Sequence, residues 1–142
     1  EEGGRFNTPH GLWIDDRVDL FSLVVTDRAN HRLQRLKLDG TLIEIVEGFG
    51  LPANIDVYQE LMLVPELLGR VTLVDNELNP VVVLGDDRQR IEEDKKFEIR
   101  RDESRWNDKK FIHPHDGCFD SGGTIYVAEW VHRGRVSKLR KV

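Results

Sequence analysis

The sequence predicts an all-β protein built from three repeated units, and two observations lead to that prediction. A proline-histidine pair occurs twice, at Pro9-His10 and Pro114-His115, and a related start at Leu51-Pro52 lacks the histidine. Each start is followed by short runs that are apolar or alternate with period two, and turn-forming residues separate the runs. Runs of this length are typical of strands, so a helical fold is disfavoured for most of the chain.

The first unit covers about residues 6–50, with predicted strands at residues 11–15, 21–27, 32–36 and 42–46. The second covers about residues 51–85, with predicted strands at residues 54–57, 61–66, 70–74 and 81–84. The third covers about residues 111–142, with predicted strands at residues 117–120, 124–129 and 135–139 and no fourth run. Four short antiparallel strands in roughly forty residues predict a β-propeller blade. We therefore expect three four-stranded blades, of which the last is either three-stranded or completed by another segment.

An acidic residue ends the second strand of each unit, and an arginine begins the third strand. The acids are Asp27, Glu66 and Glu129, and the arginines are Arg32, Arg70 and Arg135. A pair of opposite charges that bridges neighbouring strands satisfies polar groups where a blade turns. We therefore predict a structural role for these residues in preference to a binding role.

Residues 86–110 interrupt the repeat. Charged side chains of both signs dominate this segment, and its main apolar residues are Phe97, Ile99 and Trp106. Mixed charge of this density favours a solvated loop or a short helix that is peripheral to the fold. The functional alternative is a lid over one face of the propeller, in which Trp106 packs over a ligand.

The chain has 142 residues, the length of one ordinary domain, and 39% of them are hydrophobic. Its net charge of -5 argues against a nucleic-acid partner, which needs a basic surface to neutralise phosphates. No apolar run approaches the roughly twenty residues that span a bilayer, and no signal-peptide pattern is present, so we expect a soluble protein without a membrane partner. The printed sequence begins without methionine, which leaves two compartments open: the cytoplasm, or export after removal of a leader.

The single cysteine, Cys118, excludes an internal disulfide. It lies in a predicted strand between Gly117 and Phe119, and we expect a buried, unreactive thiol there. A nucleophilic role is the less favoured alternative.

Three blades do not close a ring, because closed propellers have about four to eight. The first and last blades would expose unpaired edges and apolar faces to water. A second copy related by a two-fold axis would complete a six-bladed ring, so the sequence predicts a homodimer. The alternative is that the chain is a fragment of a longer single-chain propeller.

Three segments of the sequence resemble NHL-repeat propellers. They are Phe-Asn-Thr-Pro-His-Gly-Leu at residues 6–12, Val-Val-Thr-Asp-Arg-Ala-Asn-His-Arg-Leu-Gln-Arg-Leu at residues 24–36, and Phe-Ile-His-Pro-His-Asp-Gly at residues 111–117. Within that family they are similar to the peptidyl-hydroxyglycine amidating lyases and their bacterial relatives, and the chain resembles the C-terminal half of such a six-bladed propeller. The resemblance implies that histidines from three blades bind zinc in a central channel.

The resemblance also implies roles for four residues of this chain. His10 and His115 would be two of the zinc ligands, Arg28 the arginine that positions the substrate, and Asp116 a ligand of a structural calcium ion. The third zinc-binding histidine of the family belongs to the half that this sequence does not contain.

The residues by themselves lead to the same histidines. A histidine held by a preceding proline at the start of the innermost strand points towards the channel axis, so His10 and His115 can converge there. A catalytic zinc normally takes three protein ligands and a water, so two histidines are too few unless a dimer supplies four. The alternative is that each imidazole is hydrogen-bonded to backbone at a turn. His113 should face the opposite side of an extended strand, and His31 and His132 lie in turns, so we predict no ligand role for these three.

Three functions are compatible with these patterns. We favour a propeller that acts as a scaffold, either by binding a small polar ligand or a peptide or by serving assembly. Its channel is a candidate metal site. The alternative is a metal-dependent lyase in which zinc polarises the substrate and Arg28 holds a carboxylate. The lyase lacks one zinc ligand and a counterpart of the family's catalytic tyrosine, since Tyr58 and Tyr126 lie inside predicted strands. The third possibility is a module whose task is dimerisation.

Overall fold

The computed structural model describes residues 2–140, and these residues form three antiparallel sheets. The first sheet consists of β1 (Pro9–Asp15), β2 (Ser22–Asp27), β3 (Arg32–Lys37) and β4 (Leu42–Glu47) in that order. The second consists of β5 (Asp56–Tyr58), β6 (Leu61–Glu66), β7 (Arg70–Val74) and β8 (Pro80–Leu84), also in chain order. The third consists of β9 (Pro114–Phe119), β10 (Ile125–Glu129) and β11 (Arg135–Leu139). The predicted all-β fold of repeated antiparallel sheets is confirmed.

The third sheet has one strand fewer than the other two, and a three-stranded last blade was one of the two predicted alternatives. It has three strands among the described residues, and the described chain extends only to Arg140, just beyond β11. The described residues also contain three short 3₁₀ helices (Arg28–Asn30, Ile99–Arg101, Glu103–Arg105) and one α-helix, α1 (Arg88–Glu93). None of the helices described in residues 2–140 could span a membrane.

Strands β6 and β7 of the middle sheet are packed on both faces, which explains the continuously apolar sequence of β6. Met62 and Val64 point into a cluster shared with Val24 and Leu33 of the first sheet. Leu63, which lies between them in the sequence, points into a second cluster shared with Val127 of the third sheet. Because successive side chains of a strand point to opposite faces, a strand covered on both sides needs apolar residues at every position.

The two end sheets each leave one face exposed. On β1, Trp13 packs against the first cluster while its neighbours Leu12 and Ile14 point away from it and are 65% and 48% exposed. On the third sheet, Val136 is 72% exposed and Cys118 is also exposed. The expectation of a buried Cys118 is therefore wrong for this chain. The cysteine lies on the face of an end sheet that no other part of the described chain covers.

The predicted structural role of the three acid–arginine pairs is confirmed. Across the second and third strands of each unit, Asp27 faces Arg32, Glu66 faces Arg70, and Glu129 faces Arg135. Each pair is joined through the arginine Nε, with Nε–oxygen distances of 2.7 Å in the first unit and 2.9 Å in the second.

Each buried acid also anchors the chain segment that enters the innermost strand. The carboxylates of Asp27 and Glu129 accept the backbone N–H groups of Asn7 and Ile112, each at 2.7 Å, and Glu66 accepts that of Gly50. In every unit this N–H group lies two residues before the proline of the repeat. The repeat is therefore a hydrogen-bonding unit that positions the start of the innermost strand at one end of the sheet.

The charged segment 86–110 contains a small apolar core of its own. Ile91 and Ile99 are 4% and 1% exposed and pack with Ile112 and Val131, and Trp106 packs against this cluster. Trp106 also donates its indole N–H to the carbonyl of Ile99 at 2.7 Å. The segment thus docks on the loops next to the third sheet through its isoleucines. Its charged residues are partly exposed, and Arg100 packs its guanidinium on the ring of Trp130.

Candidate functional site

A cleft of about 760 Å³ opens at the end of the sheets where the innermost strands begin. In an antiparallel pair the end of the second strand lies beside the start of the first, so the loops of all three units meet at this end. The remaining wall comes from segment 86–110. The residues that line the cleft include Thr8, Arg28, His31, Leu51, Phe97, His113, His115 and Trp130.

Arg28 supplies a cationic group to the cleft. It begins the 3₁₀ helix that follows β2, and it is half-buried. Among residues 2–140 its guanidinium group makes no hydrogen bond or ion pair, in contrast to Arg32, which is engaged with Asp27. Arg28, the residue predicted to position a substrate, therefore lies in the cleft, and its donors are available to a ligand.

His10 and His115 lie side by side, as their equivalent positions in the first and third units predict. Their ring centroids are 4.9 Å apart with an angle of 83° between the planes. The equivalent position in the second unit is Ala53, whose carbonyl oxygen lies 2.5 Å from Nδ1 of His10. Because a carbonyl only accepts, Nδ1 carries the hydrogen, and Nε2 of His10 keeps a lone pair in the neutral ring.

His115 is held in its neutral form by its surroundings. Burial lowers the pKa of His115, and the nearby His10 and Arg28 lower it further, while Asp116 acts in the opposite direction. A neutral imidazole can accept a hydrogen bond or bind a metal ion, whereas a protonated one cannot. His115 lines the cleft, and His10 packs against it from the exposed side.

Asp116 is engaged with the second unit. One of its carboxylate oxygens accepts a hydrogen bond from the side-chain amide of Asn54 and another from the backbone N–H of Gly117, the latter at 2.8 Å. Within the described part of the chain, no group of three or more His, Cys, Asp or Glu side chains is arranged to hold a metal ion. The residues proposed as metal ligands thus contribute one pair of imidazoles and a carboxylate that is already hydrogen-bonded.

His113 lines the cleft, although its place in the sequence predicted no ligand role for it. It is only 3% exposed, its Nδ1 lies 2.6 Å from the carbonyl oxygen of Leu67, and its Nε2 has no hydrogen-bond partner among the described residues. Strand alternation assigned it to the opposite side from His115, yet both residues line the cleft. A signal was available in the repeat, because His113 precedes the proline as Thr8 and Leu51 do, and all three positions line the cleft.

The surroundings of His113 are apolar and aromatic. The ring centroids of Phe97 and Trp130 lie 5.7 Å and 6.0 Å from that of His113. Burial lowers the pKa of His113 and a neighbouring charge on Arg100 adds to this, against opposing contributions from the hydrogen bond to Leu67 and from nearby carboxylates. The ring is therefore neutral at neutral pH.

Of the other histidines and tyrosines considered in the sequence, one lines the cleft and the rest lie away from it. His31 holds the carbonyl of Phe49 with its Nδ1 at 3.1 Å and lines the cleft, while His132 is exposed on a turn. Neither Tyr58 nor Tyr126 is among the lining residues. Tyr58 of the second sheet packs against Phe119 of the third sheet.

The described residues thus form an all-β protein of three antiparallel sheets with a cleft where their loops meet. No family model and no curated protein matches the sequence. Among solved structures the chain is similar to selenomethionine-substituted virginiamycin B lyase from Staphylococcus aureus, with a TM-score of 0.59 and 9% sequence identity. The match covers 94% of this chain and 41% of that one, so the chain spans less than half the length of its structural neighbour. At this identity the likeness shows a propeller-like fold.

Proposed function

We propose that this chain is a ligand-binding part of an NHL-type β-propeller, and that its cleft binds a small polar ligand or a peptide through a carboxylate group at Arg28. The observation that carries the proposal is that Arg28 is half-buried and lines a cleft of about 760 Å³, while its guanidinium has no protein partner among the described residues. A partly desolvated charge is stabilised by an opposite charge, and a guanidinium binds a carboxylate through two parallel hydrogen bonds. The repeated prolines and acid–arginine pairs support the NHL type.

Substituting Arg28 with glutamine is expected to weaken binding of a simple carboxylate probe, phenylacetate, by about ten- to a hundredfold. That range corresponds to the roughly 1.5–3 kcal/mol of a hydrogen bond to a charged group. Binding is measured by calorimetry and by the fluorescence change of the tryptophans, since Trp130 lines the cleft. The matched control is Arg101→Gln, which removes an exposed arginine outside the cleft. Equal affinity in the Arg28 variant and the wild type, or no binding of the carboxylate at all, would contradict the proposal.

A second candidate function is a metal site shared between two copies of the chain, and the contact between His10 and His115 favours it. In a two-fold dimer that closes a six-sheet ring, the two copies would contribute four imidazoles. The hydrogen bond from Nδ1 of His10 to the carbonyl of Ala53 is of the kind that orients metal-binding histidines. Zinc bound there would act as a Lewis acid, the chemistry that the lyase alternative requires. A calcium ion at Asp116 has less support, since one oxygen of this carboxylate already accepts two hydrogen bonds.

The dimer is proposed because the two end sheets expose apolar faces. Leu12 and Ile14 lie on one of these faces, and Cys118 and Val136 lie on the other. A second copy related by a two-fold axis would place the first sheet of one chain against the third sheet of the other. Both exposed faces would then be buried.

Light scattering is expected to give the mass of a dimer for the wild type and of a monomer for Val136→Asp. The introduced carboxylate would have to be buried in the interface, whereas Leu38→Asp, at an exposed turn after β3, should remain dimeric. In the same samples the double variant His10→Ala, His115→Ala should lose zinc while keeping the dimer. A stable wild-type monomer would exclude the dimer, and unchanged zinc binding in the double variant would exclude the shared site.

A further inference from the structure

His113 presents a hydrogen-bond acceptor that no group of the described chain uses. The carbonyl of Leu67 can only accept, so the hydrogen of the neutral ring resides on Nδ1 and Nε2 carries a lone pair. Nε2 is shielded from solvent and has no partner. Buried polar atoms without a partner are uncommon in folded proteins, so this atom calls for a partner that the described residues do not supply, and His113 lines the cleft.

The side chains around Nε2 of His113 indicate the chemical character of a ligand group that could donate to this atom. Phe97 and Trp130 flank His113, and their own ring centroids are 6.4 Å apart. One face of Trp130 is occupied by the guanidinium of Arg100, whose carbon lies 3.3 Å from the ring centroid. The group that approaches His113 therefore meets aromatic edges and faces, which favour a flat, apolar ring.

Segment 86–110 holds Phe97 in this position. The backbone of Phe97 is left-handed, with a φ of 56°, which is uncommon for a bulky residue. The carboxylate of Asp94 stabilises the turn by accepting the backbone N–H groups of Glu98 and Ile99 at 3.1 Å and 2.8 Å. The aromatic wall is thus built by the segment that lies outside the repeat.

We propose that the cleft binds aromatic carboxylates that carry a hydroxyl or N–H group, with His113 as the residue that selects for this donor. The carboxylate is bound by Arg28, which rests on the proposed function, the ring lies against Phe97 and Trp130, and the O–H or N–H group donates to Nε2 of His113. Arg28 and His113 line the same cleft of about 760 Å³. Specificity for the donor arises because a ligand without it leaves the buried acceptor unpaired.

The test compares two probes that differ only in the donor, 4-hydroxyphenylacetate and phenylacetate, together with the corresponding arylpropionates. The wild type is expected to bind the hydroxylated member of each pair about tenfold more tightly, as one added hydrogen bond predicts. His113→Asn keeps a donor near Leu67 but removes the acceptor at the Nε2 position, so the preference should vanish. His113→Gln places an amide oxygen near that position and should restore part of it. His132→Asn, at an exposed histidine outside the cleft, should keep the full preference.

A direct measurement on the wild type keeps the test independent of whether the variants fold. With nitrogen-15 in the histidine rings, the hydroxylated probe should shift the Nε2 resonance of His113 upfield, and phenylacetate should not. A hydroxyl preference that persists in folded His113→Asn, or an Nε2 resonance that does not respond, would overturn the role of His113. If both probes bind equally and only Arg28→Gln weakens them, the inference fails and the proposed function stands. If no carboxylate binds, both fail.

Discussion

Replacing Asp27 with alanine is expected to lower the free energy of unfolding by about 3–5 kcal/mol, the range for breaking a buried ion pair from one side. The Asp27 side chain is fully buried and accepts hydrogen bonds from the backbone of Asn7 and the side chains of Asn30, Arg32 and Gln34, at 2.7–2.8 Å. Burial alone would raise the pKa of Asp27, but these hydrogen bonds outweigh it and the pKa is lowered. The alanine variant would remove the carboxylate that accepts from Nε of the buried Arg32.

The measurement is urea unfolding followed by circular dichroism, with Glu2→Ala as the control. Glu2 forms an ion pair with Arg5 at 3.6 Å, but the two side chains are 83% and 75% exposed. An exposed pair of this kind contributes about 0–1 kcal/mol. The structural interpretation of the repeated acid would be wrong if Asp27→Ala were no more destabilising than Glu2→Ala.

The lowered pKa of Asp27 also determines how this contribution varies with pH. The unfolded chain binds a proton near the ordinary value of 3.8, and the folded chain binds it only at lower pH. The stabilising contribution is therefore present above about pH 4 and is lost as the pH falls further. The difference in stability between the wild type and Asp27→Ala should shrink in the same acidic range.

Replacing segment 86–110 with a short Gly/Ser linker is expected to leave the three sheets folded but to abolish binding in the cleft. The eleven strands described in residues 2–140 all lie outside the segment. The backbone N–H of Phe111 donates to the carbonyl of Gly85 at 2.9 Å, so a short linker can join the two ends. The linker would remove the buried side chains of Ile91 and Ile99, at a cost of about 3–6 kcal/mol. It would also remove Phe97 from the cleft wall.

Thermal unfolding and phenylacetate binding measure the two parts of this prediction separately. Ile99→Ala should reproduce about 2–5 kcal/mol of the destabilisation, because Ile99 is 1% exposed. Phe97→Ala should cost much less stability, because Phe97 is 47% exposed, while it still weakens binding. A linker variant that binds the probe as well as the wild type would show that the segment is not part of the site, and one that cannot fold would show that its isoleucines belong to the main core.

The sequence by itself determined the strands and the repeated polar contacts. The strands β6, β7 and β11 occupy the predicted residues, because period two and flanking turn residues are local properties of the chain. The contact between His10 and His115 was also predictable, since equivalent positions of a repeat lie at equivalent places in successive sheets. The acid–arginine pairs followed from the same register.

Only the tertiary structure decided which of the other side chains are buried and which face the cleft. His113 is hydrogen-bonded to the carbonyl of Leu67, 46 residues away, and contacts the ring of Phe97 from the segment outside the repeat. Cys118 has the sequence neighbours of a buried residue, yet it is exposed because its sheet lies at the end of the stack. Strand periodicity assigns a side chain to a face of its own sheet, but what covers that face depends on segments that are distant in the chain.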